Sequence, residues 1–226
     1  RLARLGRSGA EHINDVLNTI FEGLIDEVFG VGGDVLEFGG DAMVVLYDGV
    51  DHERRAAIAA ARMFDFMARD GLIQTPLGGV RLRMSCGMAS GTQAYHLIGV
   101  LRRALMVTGP VSTEMARLEA LANAGEALIN DELAAALPAS WVTTSKGGAA
   151  KLRMGRVATG YPTVPPSRCP ADDGDIKRLL PTQFHSLVDA QHRAGELKQV
   201  AMAFIRLNGT DDMLVADGVD RLHQRI

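Results

Sequence analysis

LEFGGDAMVVLYDG, residues Leu36 to Gly49, sets two glycines and a carboxylate in the bend between two apolar runs. DVLEF before the bend and AMVVLY after it are rich in branched and aromatic residues, so the stretch reads as a β-hairpin with a short glycine turn. An Asn-Gly pair alone would turn such a hairpin. The extra glycine and the carboxylate therefore ask for a chemical reason. Gly39 and Gly40 let the backbone bend tightly and let a bulky group approach without side-chain obstruction. In an isolated GGD, Asp41 reads as a turn aspartate bonded to its own backbone.

Upstream, Ser8 followed by Glu11 forms a capping box, and Ile13, Val16, Leu17, Ile20, Leu24 and Val28 repeat at helical spacing up to the glycines at 30, 32 and 33. Downstream, Asp51 is placed to cap a helix whose Ala57, Ala60, Phe64, Met67 and Ala68 share one face, with Gly71 as its stop. GVRLRMSCGMASG, residues 79 to 91, reads as one strand with alternation at Val80, Leu82, Met84 and Cys86 that ends in a glycine loop. Helix, two strands, helix and strand make up most of an α+β, ferredoxin-like βαββαβ unit that lacks its first strand. A strand near Leu105 to Val107, a helix over about Ser112 to Ala122, the strand EALIN and a short helix DELAAAL stopped by Pro138 follow.

This first domain is expected over residues 1–151, a proline-rich linker over 152–182, and the start of a second, degenerate copy over 183–226. KQVAMAFIRLNGT reads as a strand and DGVDRLHQRI as a helix start, and Gly218 to Leu222 repeats the pattern of Gly9 to Ile13. Opening on Arg1 rather than Met, the chain reads as a segment of a longer polypeptide.

The 226 residues are 47% hydrophobic, enough for a real core in one large domain or one and a half ordinary ones. With 24 basic and 27 acidic residues the net charge is −3, so no basic excess marks a nucleic-acid partner. No apolar run reaches the length of a membrane span and no signal-peptide pattern opens the chain, so the cytoplasm is the expected location. Cys86 and Cys169 have no metal-ligand spacing and read as a core thiol and a loop thiol. His12, His52 and His96 are scattered and read as capping or surface histidines, and Arg102 with Arg103 as a solvated loop pair.

Three stretches together resemble the class III adenylyl and guanylyl cyclase catalytic domain: GGDVLEFGGDAMVVLYDG, MSCGMASG, and VTGPVSTEMARLEALANAGEALIN at 107–130. They cover about residues 9–137. The resemblance implies attack of a ribose 3′ hydroxyl on the α-phosphorus of ATP or GTP, helped by two Mg²⁺ or Mn²⁺ ions that carboxylates hold about 3.5–4 Å apart. It makes Asp41 a metal ligand and puts the partner carboxylate on the absent first strand. Arg206, in the second copy, stands at the position resembling that carboxylate. Counted back from the repeat, the first copy's own aspartate falls a few residues before Arg1.

A cation at Arg206 would repel the ions. The pattern resembles tandem cyclases, in which one domain supplies metal ligands and the other supplies base recognition, with shared sites at a pseudo-twofold interface. The alternative for Arg206 is a surface arginine near a strand end.

Within the nucleotide motif formed by Glu37, Phe38, Gly39 and Gly40, Glu37 stands where adenylyl cyclases carry an adenine-reading lysine. A carboxylate there resembles guanylyl cyclases and accepts hydrogen bonds from guanine; the alternative is a solvent-facing strand residue. Met106 takes the second base-reading position and can only pack. Thr113 falls where the family orients the ribose with asparagine. Arg117 fits the arginine that stabilises charge on phosphate, or else pairs with Glu114 or Glu119. A diguanylate cyclase is disfavoured because Ala42 and Met43, not glutamate and phenylalanine, follow the GGD.

The reading is thus a fragment of a tandem class III cyclase that makes cyclic AMP or cyclic GMP and pyrophosphate, with this segment inactive alone. The alternative is a catalytically degenerate, nucleotide-binding regulatory module.

Overall fold

Ile20, Leu24 and Val28 recur every fourth residue and are all buried, which lays one stripe of α1 (Gly6–Phe29) on the core. The computed structural model describes residues 6–75, 78–99, 104–145 and 147–164. Ser8 lies inside α1 rather than at its start, so the capping box does not mark the helix end. Linker residues from 165 on, the whole second copy with Arg206 and Gly218, Cys169, Arg102 and Arg103 lie outside the described residues, as does the side chain of His12.

The chain divides into two units, Arg1–Ser90 with Glu114–Ser167, and Gly91–Thr113 with Arg168–Ile226. In the first unit, α1 leads through a glycine turn to β1 (Asp34–Gly39) and β2 (Ala42–Leu46), an antiparallel pair with Asp34 opposite Leu46 and Gly39 opposite Ala42. The register slips between Val35 and Glu37, leaving Leu36 as a bulge.

Next comes α2 (His52–Asp70), in which Ala57 through Ala61 are all buried, so the helix is enclosed on more than the single face the sequence predicts, while Ala68 is exposed. Small alanine side chains let neighbouring elements close in from several directions. At the same interface Phe66 lies against Gly23 of α1, where any side chain would collide with the ring. Asp51 precedes α2 with φ 56° and no side-chain cap bond, against the expected cap; Gly71 ends the helix by donating its N–H to the Met67 carbonyl.

The stretch expected to form one strand over 79–91 forms two. Its first part is β4 (Gly78–Arg81), which pairs antiparallel with β3 (Leu72–Thr75). Its second part is β5 (Cys86–Met88), which pairs in parallel with β8 (Ala127–Ile129). Alternation continues through the break, so the pattern alone does not reveal a change of partner. Strands β9 (Val142–Thr144) and β10 (Ala150–Leu152) complete a four-stranded mixed sheet in the order β5-β8-β10-β9. α4 (Asp131–Ala136) follows β8, and the Asn130 carboxamide caps it by accepting from the Leu133 N–H.

Ala127, Leu128, Ile129 and Leu152 are buried from the sheet side, beside Leu133, Trp141 and Val157. The core thus runs past Lys151, to Leu152 and Val157. Beyond it Arg62 donates to the carbonyls of Thr159, at 2.6 and 3.0 Å, and Tyr161, at 3.2 Å, which docks this stretch on α2. Among the described residues no strand joins the β1–β2 hairpin to β5, consistent with a ferredoxin-like α+β unit whose first strand is not among them.

The second unit contains the antiparallel hairpin β6 (Ala94–Ile98) and β7 (Ala104–Thr108) and the first turn of α3 (Pro110–Leu121), which runs on into the first unit. His96, expected at the surface, is 1% exposed and bonds Thr108 Oγ1 at 3.1 Å through Nε2. The alternation of β6 turns it inward, and its ring nitrogen finds a hydroxyl there.

Candidate active site

The hairpin turn consists of Gly40 and Asp41, since Gly39 pairs with Ala42. Gly40 has φ +69°, a conformation that excludes most side chains, whereas Gly39 has an ordinary strand φ. Nothing lies within 4 Å of where a Cβ would sit on either glycine. The backbone bend thus depends on Gly40, and Gly39 contributes bareness alone. Asp41 is exposed at the tip, and among the described residues its carboxylate forms no hydrogen bond or ion pair.

Glu37 and Phe38 lie on successive positions of β1 and so project to opposite faces, Glu37 opposite Val44 and Phe38 opposite Met43. Both are exposed, and Phe38 meets Phe21 of α1 edge to face, with ring centroids 5.3 Å apart. That contact gives Phe38 a packing role whatever else it touches.

At the hairpin's base, Tyr47 lies over Gly33 so closely that a side chain there would strike the ring. The Tyr47 hydroxyl is buried without a hydrogen-bond partner among the described residues, and burial, with the Cys86 thiol nearby, pushes its pKa well above the usual phenol value. Desolvation, with the Glu119 carboxylate nearby, likewise pushes the half-buried Cys86 thiol up to about 12, which favours its protonated form.

The glycine loop after β5 is pinned from both sides. Asn130 accepts from the Ser90 N–H at 3.0 Å and donates to the Ser90 carbonyl at 2.9 Å. The Ser90 hydroxyl points to Glu53 Oε1 and His52 Nε2, each at 3.3 Å. His52 Nδ1 lies 2.9 Å from the Gly49 carbonyl oxygen and must donate to it, so Nε2 pairs with Glu53, at 3.0 Å, only in the doubly protonated ring. His52 is therefore built into a network that holds the loop, beyond a simple surface or capping role. Asn130, the residue before the acidic start of DELAAAL, carries an N-cap signal that reveals the cap; its second bond to Ser90, forty residues away, leaves no trace in sequence.

α3 approaches β5 at Gly87, where a Cβ would fall on the backbone of Glu119 and Met115. The Ser85 hydroxyl donates to Glu119 at 2.9 Å and Leu118 is 1% exposed, so this face of the helix is fixed. Arg117 lies on α3 and binds Glu114 bidentately, Nε to Oε2 at 2.7 Å and Nη2 to Oε1 at 2.6 Å. The pairing holds the Glu114 carboxyl below its ordinary value and raises Arg117 above its own. Of the two acidic partners the sequence offers Arg117, Glu114 is the one it pairs with, and Glu119 accepts from Ser85 instead. Thr113 sits one turn earlier on α3. Met106 is half-buried on β7, opposite His96.

Glu37 through Asp41 are thus brought together on one hairpin of the first unit, which also holds Arg117, while Met106 and Thr113 belong to the second unit.

No protein-family model matches the sequence, and neither does any curated protein. Solved structures do match. The crystal structure of the guanylyl cyclase Cya2 aligns with a TM-score of 0.56 at 24% identity, over 68% of this chain and 85% of that one. This domain has the class III nucleotidyl cyclase fold. The guanylate cyclase domain of RhGC from Catenaria anguillulae, in complex with GTP, aligns at 0.54 and 18% identity, over 67% of this chain and 87% of that one. The catalytic core of a rhodopsin-guanylyl cyclase with converted specificity, in complex with ATPαS, aligns at 0.51 and 18% identity, over 63% and 83%.

Class III cyclase chemistry implies metal ions, which need several oxygen ligands each. Among the described residues no three His, Cys, Asp or Glu side chains gather to hold one. Asp41 is a single exposed carboxylate, so the described residues fit one ligand of such a site and do not fit the whole of it. Among them no helix is long and apolar enough to cross a membrane.

Proposed function

We propose that this chain is the ligand-bearing part of a tandem class III nucleotidyl cyclase that converts ATP or GTP to the cyclic monophosphate and pyrophosphate in the cytoplasm. In that reaction the ribose O3′ forms a bond to the α-phosphorus, the bond from that phosphorus to the departing pyrophosphate breaks, and the hydroxyl proton is lost. The observation that carries the reading is Asp41: an exposed carboxylate on a bare two-residue turn, in a domain with the cyclase fold.

Asp41 contributes one carboxylate toward Mg²⁺ or Mn²⁺. The partner carboxylate is assigned to the first strand of this same domain, which is not among the described residues. Gly39 and Gly40 leave the tip open to a polyphosphate, and exposed Glu37 offers acceptor oxygens that suit guanine better than adenine. Thr113 and Arg117 are the groups assigned to ribose and phosphate. The tandem arrangement draws support from the Gly218 repeat and from Arg206, a cation where a metal ligand would stand.

A second reading, a degenerate cyclase-homology regulatory module that binds nucleotide without turning it over, is favoured by two observations. Arg117 is already neutralised by Glu114, and Met106 has no polar group with which to read a base.

The test is to incubate the chain, alone and together with its natural flanking sequence, with ATP or GTP and Mn²⁺, and to measure cyclic nucleotide. The first reading expects product from the extended chain, from ATP or from GTP, and its loss in Asp41→Ala. Nucleotide binding without product from either would replace it with the second.

A further inference from the structure

Among the described residues nothing in the backbone ladder fixes the direction of the Asp41 hairpin. Among the described residues β1 and β2 pair only with each other, and a two-stranded ribbon is marginally stable by itself. What holds it is at its base. Arg55, in the first turn of α2, is buried, and it donates to carbonyls on both chain segments that flank the hairpin. On the entering side Nη1 reaches Gly32 at 2.8 Å and Val31 at 3.4 Å. On the leaving side Nε reaches Val50 at 3.1 Å and Nη2 binds the Asp48 carbonyl. Among the described residues no carboxylate neutralises this cation; four backbone oxygens take that place.

Burying an arginine this way is costly unless hydrogen bonds meet its charge, and a neutral side chain could not serve four acceptors. Other contacts brace the same base. Val164 N–H donates to the Gly30 carbonyl at 3.1 Å, its side chain lies beside Gly32, and Tyr47 covers Gly33. The entering segment is thereby held to α2 and to the chain's 157–164 stretch.

We propose that Arg55 is a positioning residue for the hairpin: it ties both legs to α2 and so fixes where Asp41 stands. The inference takes from the cyclase reading only the role of Asp41. Five residue steps separate Asp34 from Gly39, about 17 Å of strand, so a tilt of about 4° at the base moves the tip by about 1 Å. A misplacement of that size can cost about a hundredfold in rate. Lysine at position 55 carries the charge but not the planar fork, and cannot span both segments.

The experiment compares hydrogen exchange in the 226-residue chain for wild type, Arg55→Lys and Arg55→Met, with Arg55→Lys carrying the test if Arg55→Met does not fold. Amides of β1 and β2 are expected to exchange at least about tenfold faster in the variants, while those of β8 and β10 change by less than about threefold. In the turnover assay, Arg55→Lys is expected to lower kcat and raise the Mn²⁺ concentration for half-maximal rate, with the KM for nucleotide within about twofold of wild type. Unchanged exchange in β1 and β2 would overturn the proposal, and so would equal acceleration in all four strands, which is the mark of general fold support. A loosened hairpin in a chain that makes no product as wild type even with its natural flanking sequence would uphold the tether and refute the catalytic role of Asp41, so the two failures are distinguishable.

Discussion

Gly87→Ala tests the packing that sets the candidate phosphate-binding helix in place. A Cβ on Gly87 would fall on the amide nitrogen of Glu119 and the carbonyl oxygen of Met115, and within 2.8 Å of the Glu119 Cα. All three are backbone atoms of α3, so no side-chain rotation relieves the collision and the helix itself must move off β5. Overpacking of this kind costs about 1–3 kcal/mol, and a backbone obstacle belongs at the upper end. Displacement also uncovers Leu118 and stretches the Ser85–Glu119 bond. Against this, alanine removes freedom from the unfolded chain, a gain of about 0.4–1 kcal/mol. The net expectation is a loss of about 2–3 kcal/mol, read as a lower urea midpoint at unchanged slope. Gly39→Ala is the control, because its new methyl meets nothing within 4 Å. A Gly87→Ala loss under about 0.5 kcal/mol would refute the close approach of α3 to β5.

The two hairpin glycines should separate in the same assay: Gly40→Ala, forced into φ +69°, is expected to lose about 1–2 kcal/mol, and Gly39→Ala to change by less than about 0.5 kcal/mol. Equal effects would contradict the turn as described. Glu126 accepts from Lys151 Nζ at 2.7 Å and Asn123 Nδ2 at 2.8 Å, which holds its carboxyl down at about 2 from an ordinary value of 4.5. A depressed folded value means stabilisation that is complete above pH 4.5 and lost as pH falls toward 2, so Glu126→Gln should flatten the fall in urea midpoint across that window. An unchanged acid limb would show the pair to be inert. Half-buried Cys86, its thiol pushed up to about 12 by desolvation, should be alkylated more slowly at pH 8 in the native protein than after unfolding, as peptide mass mapping would show; equal rates in the two states would contradict that shift.

What the sequence reveals and what it hides follow from how local each signal is. α1, the hairpin and β8 are legible because period and turn residues are both present within a few positions: the Ile20–Leu24–Val28 stripe, the glycine at 40, and the branched run around Leu128. The break between β4 and β5 is invisible because residues 80 to 86 keep one alternation while the strands on either side pair with different partners. Asp51 has the right residue type for a cap but a left-handed backbone that points its side chain elsewhere.

At the site, Asp41 is readable because a tip needs only its own turn. Arg55 is not: beside Arg54, which lies over Trp141 at 5.6 Å, it looks like one of two surface charges at a helix start. Its buried role depends on carbonyls 23 and 24 residues upstream, supplied by the fold.

The central claim is that Asp41 serves nucleotide cyclisation. The most direct measurement is cyclic nucleotide formation with Mn²⁺ by the chain with its natural flanking sequence, comparing wild type with Asp41→Ala after hydrogen exchange has shown both equally folded. Loss of a ligand carboxylate should cost more than the roughly 10- to 100-fold that loss of an outer-shell partner costs. A wild type that forms product and an Asp41→Ala variant that forms less than about a hundredth as much is the predicted result; equal rates would contradict it.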